Sequence, residues 1–247
     1  MSEQSTGNNS TANGAQAKKI IIWFGALVGI TFPFTTNFLI ADLFTDFVWV
    51  DPLLMPADEM LRELMNSGTK VRNALLGYAV VPLLYLPIAI AQHLTLKRQG
   101  NDLASGIFLL AIITVLGMSV GIARWPVLWI VSHEFGPAMD AQVLYPLFLT
   151  VDWIFGVVIE QFVGEFFWAL WMGATALALW GQRGVARVLC WFSLLALLAQ
   201  IPGTFRSLYP EYAYLNEPNV FILPLWGVVA GVWLIVSLKK HGSHPGL

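Results

Sequence analysis

Six blocks of about 20 apolar residues, nearly free of charge, alternate with short polar segments along this chain. They run over residues 20–43, 73–95, 103–129, 153–180, 186–204 and 219–238. A helix of that length rises about 1.5 Å per residue and crosses a hydrocarbon core roughly 30 Å thick. Composition closes off the soluble alternative. Only 11% of the residues are charged, where a soluble domain uses about 25% to face water. Several of the 11 tryptophans stand at block ends, where an indole ring sits at headgroup level. The predicted fold class is therefore all-α, a polytopic membrane helix bundle of six transmembrane helices with a short outer interfacial helix. The lipid bilayer is its first partner.

Basic residues orient the bundle. With six spans and a cytoplasmic N-terminus, Lys18, Lys19, Lys97, Arg98, Arg183, Arg187, Lys239 and Lys240 lie inside. Arg62, Lys70, Arg72 and Arg206 lie outside, and Arg124 stands near a helix end. A seventh span within 138–180 would reverse that eight-to-four ratio, against the retention of positive charge on the cytoplasmic side. Both termini are thus expected in the cytoplasm. Residues 1–17 read as a disordered cytoplasmic tail, too poor in apolar side chains to fold, followed by a transmembrane domain over 18–240 and a cytoplasmic tail over 241–247. The outer side collects Asp42, Asp46, Asp51, Asp58, Glu59, Glu63, Glu134, Asp140, Asp152, Glu211 and Glu217, which reads as a solvated acidic face.

Between the first two spans, residues 57–67 place Met60, Leu61, Leu64 and Met65 on one helix face. This predicts an interfacial helix lying on the outer membrane surface. Residues 138–152 form a second, partly apolar outer segment. Three spans carry GxxxG: Gly25 and Gly29, Gly117 and Gly121, Gly227 and Gly231. Such pairs let a neighbouring backbone approach closely. Contacts between helices of one chain are the first reading, and a homo-oligomer or membrane partner protein the second. Pro33, Pro82, Pro87 and Pro224 each remove a backbone donor within or near a span and predict kinks.

The polar side chains at membrane depth are the candidate site. Counting from Trp180 at 1.5 Å per residue, Glu165 lies about 22 Å above the inner boundary and Glu160 about 30 Å. Gln161 shares the face of Glu165, and Arg124 ends the hydrophobic part of the third block, near the outer boundary. A carboxylate at this depth is protonated, paired, or faces a wet cavity. Arg124 is paired with Glu160 or Glu165 by depth alone. The ligand-binding hypothesis is a polar pocket open to the outside, formed by Arg124, Glu160, Gln161 and Glu165. Against it stands a structural ion pair that joins two spans.

Sharper chemistry finds no support in the residues. Gly117-Met118-Ser119-Val120-Gly121 matches GxSxG, but the nucleophile elbow needs a strand–turn–helix and this is mid-span. An intramembrane serine protease needs a histidine at depth, and His93, His133, His241 and His244 stand at span ends or in tails. No lysine lies deep enough for a retinal Schiff base. His133 and Glu134 lack a second histidine at HExxH spacing, so no metal site is expected, and His241 with His244 could bind metal only adventitiously. Cys190 stands alone and makes neither an intrachain disulfide nor a thiolate cluster. No cofactor, catalytic residue or nucleic-acid partner is predicted. An enzyme is the less favoured reading.

The order of motifs is itself informative. KKIIIWFGALVGI opens the first span, LKRQGN makes a short basic inner turn, GIARWPVLWIVS ends the third span, LFLTVDWIFGVVIEQFVGEFFWALW leads through the fourth, and PLWGVVAGVWLIVSLKK closes the chain. This layout, over about residues 18–240, resembles a family of uncharacterised bacterial six-span integral membrane proteins known only as a domain of unknown function. The resemblance implies a membrane fold and a bacterial plasma-membrane location, and it implies no activity. Glu160 and Glu165 are read from the residues, not from the resemblance. The functional classes left are a binding, sensory or accessory membrane module, then a small-molecule or ion transporter with an outward-open polar pocket, then a membrane enzyme acting on a lipid-soluble substrate. The two halves show no sequence echo beyond glycine pairs that would favour transport by inverted repeats.

Overall fold

A computed structural model describes residues 14–34, 56–136, 141–215 and 218–241. The residues before 14, the end of the first apolar block beyond 34, Asp42, Asp46, Asp51, Asp140, Glu217 and the tail beyond 241 lie outside the described residues. Six helices are long and apolar enough to cross a membrane. They are α1 (Gly14–Phe34), α3 (Thr69–Arg98), α4 (Ala104–Glu134), α5 (Gln142–Leu179), α6 (Val185–Thr204) and α7 (Asn219–His241). The short helix α2 (Ala57–Asn66) precedes α3, and a 3₁₀ turn (Pro210–Leu215) lies between α6 and α7. The protein is thus a multi-pass membrane helix bundle. Its first helix begins at Gly14, inside the stretch expected to be a disordered tail.

The helices close into a ring in chain order. α3 packs on α4, α4 along α5, α5 along α6, and α6 along α7, while α7 also meets α3. Glycines set the closest crossings. A methyl group added at Gly29 would stand 2.7 Å from the Gly227 carbonyl oxygen, and one at Gly231 would stand 2.6 Å from that of Ala26. Gly25 faces the Pro87 carbonyl and the Ala91 methyl, so α1 is wedged between α3 and α7. Gly117 lies against the backbone of Gly164, with Gly121 against Glu160, locking α4 to α5. All three GxxxG pairs are therefore filled by helices of the same chain.

At the centre, Tyr85 meets Phe32, Trp168 and Trp171 with ring centroids 4.5, 5.1 and 6.0 Å away, and Trp171 meets Trp226 at 5.3 Å. These rings bury polar edges, and two of the edges find partners. Trp171 donates its indole N–H to Gln92 Oε1 at 3.0 Å, and Gln92 donates to Thr175 Oγ1 at 2.9 Å. Trp226 donates to Ser193 Oγ at 2.8 Å. A buried indole or amide without a partner would cost about 1–3 kcal/mol.

Two helices are interrupted. In α3 a 3₁₀ turn over Val81–Leu84 accommodates Pro82, which cannot donate to the regular ladder. In α4 the ladder breaks at Ala123, just ahead of Pro126, and resumes over Arg124–Glu134. Arg124 therefore stands just after the break, inside a 31-residue helix. At 31 and 38 residues, α4 and α5 are longer than the hydrocarbon needs. Residues 142–151, expected as a separate outer segment, are the first turns of α5. α2 packs against Arg124–Glu134 of α4 and the first turns of α5. Met60, Leu61 and Leu64 are buried there, and Met65 is left exposed. The apolar face read as membrane-seeking is thus turned mainly onto the protein.

Candidate functional site

The site follows from how α5 is wound. Over Asp152–Glu165 it is a π-helix, with i→i+5 hydrogen bonds and more than four residues per turn. Residues four or five apart then share a face. Asp152, Gly156, Glu160, Gln161, Gly164 and Glu165 recur at such steps within an otherwise apolar run, so the wide turn gathers every polar or small residue into one stripe. Gly156, Gln161, Gly164 and Glu165 are buried, with Asp152 and Glu160 half-buried at the edge. Trp153, Ile154 and Val158 point outward on the other face.

α4 supplies the first cation to that stripe. Arg124 donates from Nε to Asp152 Oδ1 at 2.9 Å and from Nη1 to Glu160 Oε2. Nη1 also reaches back three residues to the Gly121 carbonyl at 2.8 Å, satisfying an oxygen at the break in α4. Gly156 is the bed under this guanidinium, since an added Cβ would stand 2.7 Å from Arg124 Cζ. The Trp125 ring lies 4.4 Å from the same carbon, a cation–π contact. The Arg124 side chain is 1% exposed.

The chain just after α6 supplies the second cation. Arg206 donates from Nη1 to Glu165 Oε2 at 2.5 Å and from Nη2 to Oε1 at 2.9 Å. Its Nη1 also reaches back three residues, to the Gly203 carbonyl at 2.8 Å. With its oxygen toward the arginine, the Gln161 amide accepts from Arg206 Nε at 3.2 Å and donates to Ser207 Oγ at 2.6 Å. Gln200 donates to Glu165 Oε2 at 3.0 Å, and Asn219 donates to Gln200 Oε1 at 2.8 Å. This second clamp ties α5, α6 and α7 together.

The two clamps share one local design. In Gly121-Ile122-Ala123-Arg124 and Gly203-Thr204-Phe205-Arg206, an arginine folds back on a glycine carbonyl and grips a carboxylate of α5. They are within electrostatic reach of each other, because Glu160 interacts with Glu165 and Arg206 as well as with Arg124. Each buried charge thus has an opposite charge and hydrogen bonds around it, which is the condition for keeping ions out of water. The arrangement can hold four helices, α4 to α7, in fixed register.

Of the four residues singled out by depth, Arg124 and Glu160 meet directly. Glu165 and Gln161 face Arg206 instead. Asp152 and Arg206 were missed because each was assigned to the outer segments by its charge. Asp152 is 14% exposed at its side chain and paired, so it is not part of a solvated acidic face. Two signals were available in the sequence: the four- and five-residue steps of polar and glycine residues from Asp152 to Glu165, and the echo of GIAR in GTFR.

A family model described as a domain of unknown function, DUF4386, matches residues 37–237. No curated protein and no solved structure matches the chain.

Proposed function

The chain belongs to the DUF4386 family of domains of unknown function, and on that premise we propose that it is a membrane module of the binding, sensory or accessory class, seated in a bacterial plasma membrane with both termini cytoplasmic. The observation that carries this reading is the completeness of the two arginine clamps. Arg124 and Arg206 have their donors on carboxylates, an amide and carbonyl oxygens of the same chain. A clamp filled by its own chain fixes helix positions and favours a module whose outer surfaces meet other molecules.

Burial of Arg206 also sharpens the case for orientation. With Arg206 taken off the outer surface, Arg62, Lys70 and Arg72 remain there, against eight basic residues on the opposite side. A fluorescent reporter that folds only in the cytoplasm, fused after Leu247, is expected to be bright. An alkaline phosphatase fusion at the same point is expected to be inactive, and the reverse pattern would invert the topology.

Transport through an outward-open polar pocket is the second reading, because Asp152 and Glu160 keep side-chain exposures of 14% and 12% at the outer edge of the stripe. Thiol labelling separates the two readings. In a Cys190→Ser background, single cysteines at Val157, Gln161 and Phe162 are expected to resist a small membrane-impermeant reagent added outside. Labelling at Gln161 would mean that water reaches the clamps, and the transporter reading would replace the first.

A further inference from the structure

A second polar feature lies at the opposite end of the bundle, where α1, α3 and α7 converge. A shallow notch, partly open to the surface, is lined there by Ile22, Thr95, Arg98, Ser237 and Leu238. Each helix adds a basic residue on the face that meets the notch. Lys18 is four residues from Ile22, Arg98 three from Thr95, and Lys240 three from Ser237, spacings that place side chains on one helix face. None of the three helices carries an Asp or Glu among its described residues, and no carboxylate pairs with Arg98 among them. Arg98 thus lines the notch, Lys18 and Lys240 stand on the helix faces that border it, and the described residues of its walls hold no counter-charge.

We propose that the mouth of this notch binds the phosphate of an anionic phospholipid headgroup, with Arg98 as the principal ligand and Lys18 and Lys240 at the rim. The planar guanidinium fork matches two phosphate oxygens. Depth selects a lipid over a free anion. Immediately above Lys18 and Lys19, α1 presents Ile20, Trp23, Phe24 and Leu27 as exposed apolar surface, so the notch sits at headgroup level with acyl chains alongside. Basic pockets between spans on the cytoplasmic side recognise anionic headgroups in this way. The proposal stands apart from the function proposed above, because both leaflets of a nanodisc offer the same lipid whatever the orientation in the cell.

The test uses the full chain in nanodiscs of phosphatidylcholine, with and without phosphatidylglycerol. Phosphatidylglycerol is expected to raise the Tm by about 2–4 °C. Arg98→Gln is expected to match the wild type in phosphatidylcholine alone and to lose most of that rise, while Arg183→Gln, elsewhere on the basic rim, keeps it. An undiminished rise in Arg98→Gln, or an equal loss in Arg183→Gln, would overturn the site in favour of diffuse surface charge. The same rise produced by millimolar inorganic phosphate in phosphatidylcholine discs would overturn the lipid assignment. As a readout needing no variant, wild-type protein in detergent should retain phosphatidylglycerol over phosphatidylcholine by native mass spectrometry, and equal retention would also overturn the proposal.

Discussion

Arg206 and Glu165, 41 residues apart in the chain, meet through two parallel hydrogen bonds of 2.5 and 2.9 Å. Both side chains are 6% exposed. Such a pair does little for stability compared with well-packed apolar side chains, but losing one member leaves the other charged and buried. That asymmetry makes the clamp testable.

Glu165→Gln is expected to destabilise the protein by about 3–5 kcal/mol, because Arg206 loses its counter-charge while remaining buried. The double variant Glu165→Gln, Arg206→Met should recover most of that loss. Equilibrium unfolding in mixed micelles measures both. A single variant as stable as the wild type, or a double variant no better than the single, would show that the pair does not couple α5 to the chain after α6.

Two glycine substitutions separate packing from helix propensity. Gly156→Ala drives a methyl group toward the Arg124 guanidinium, and overpacking of this kind costs about 1–3 kcal/mol. At Gly106 an added Cβ meets nothing within 4 Å, so Gly106→Ala should be neutral or slightly stabilising. Equal effects of the two on unfolding would remove Gly156 from the first clamp.

Gln92 joins Trp171 to Thr175 inside the bundle. Gln92→Leu strands both polar partners and is expected to cost about 1–3 kcal/mol. Trp171→Phe made in that background should cost less than it does alone, since the shared hydrogen bond is already gone. A strictly additive cycle would contradict the link.

α2 offers a local readout. Leu64 is fully buried beneath it and Met65 is 38% exposed. Leu64→Ala is expected to raise proteolytic cleavage at α2 several-fold, with Met65→Ala unchanged, since a deleted core leucine costs about 2–5 kcal/mol. Equal cleavage in the two variants would free α2 from the bundle.

The six long helices were readable because charge is excluded from each block, a signal that survives any error in helix ends. Depth along the chain also led to Arg124, Glu160, Gln161 and Glu165. What it could not supply was lateral direction. Arg124 lies level with Gly156 and Glu160, whereas Glu165 lies level with Gly117 and turns to Gln200 and Arg206. That direction depends on winding, and an assumed 3.6-residue turn hides the stripe that a wider turn assembles. Asp152 and Arg206 were hidden by a sound habit, the assignment of charged residues at block edges to water. Here both are packed between helices and paired, Asp152 with Arg124 and Arg206 with Glu165.

The π-helical stretch of α5 makes the two clamps depend on each other. Wound as an ordinary helix at about 100° per residue, Asp152, Gly156 and Glu160 would still span only about 80° of its circumference and could keep hold of Arg124. Gln161 and Glu165 would turn to the far side, at about 180° and 220° from Asp152. Each set would stay together, but the two would face different ways, so the loose coil is what lets one helix hold both arginines at once. Tightening it would leave either arginine gripped, but not both.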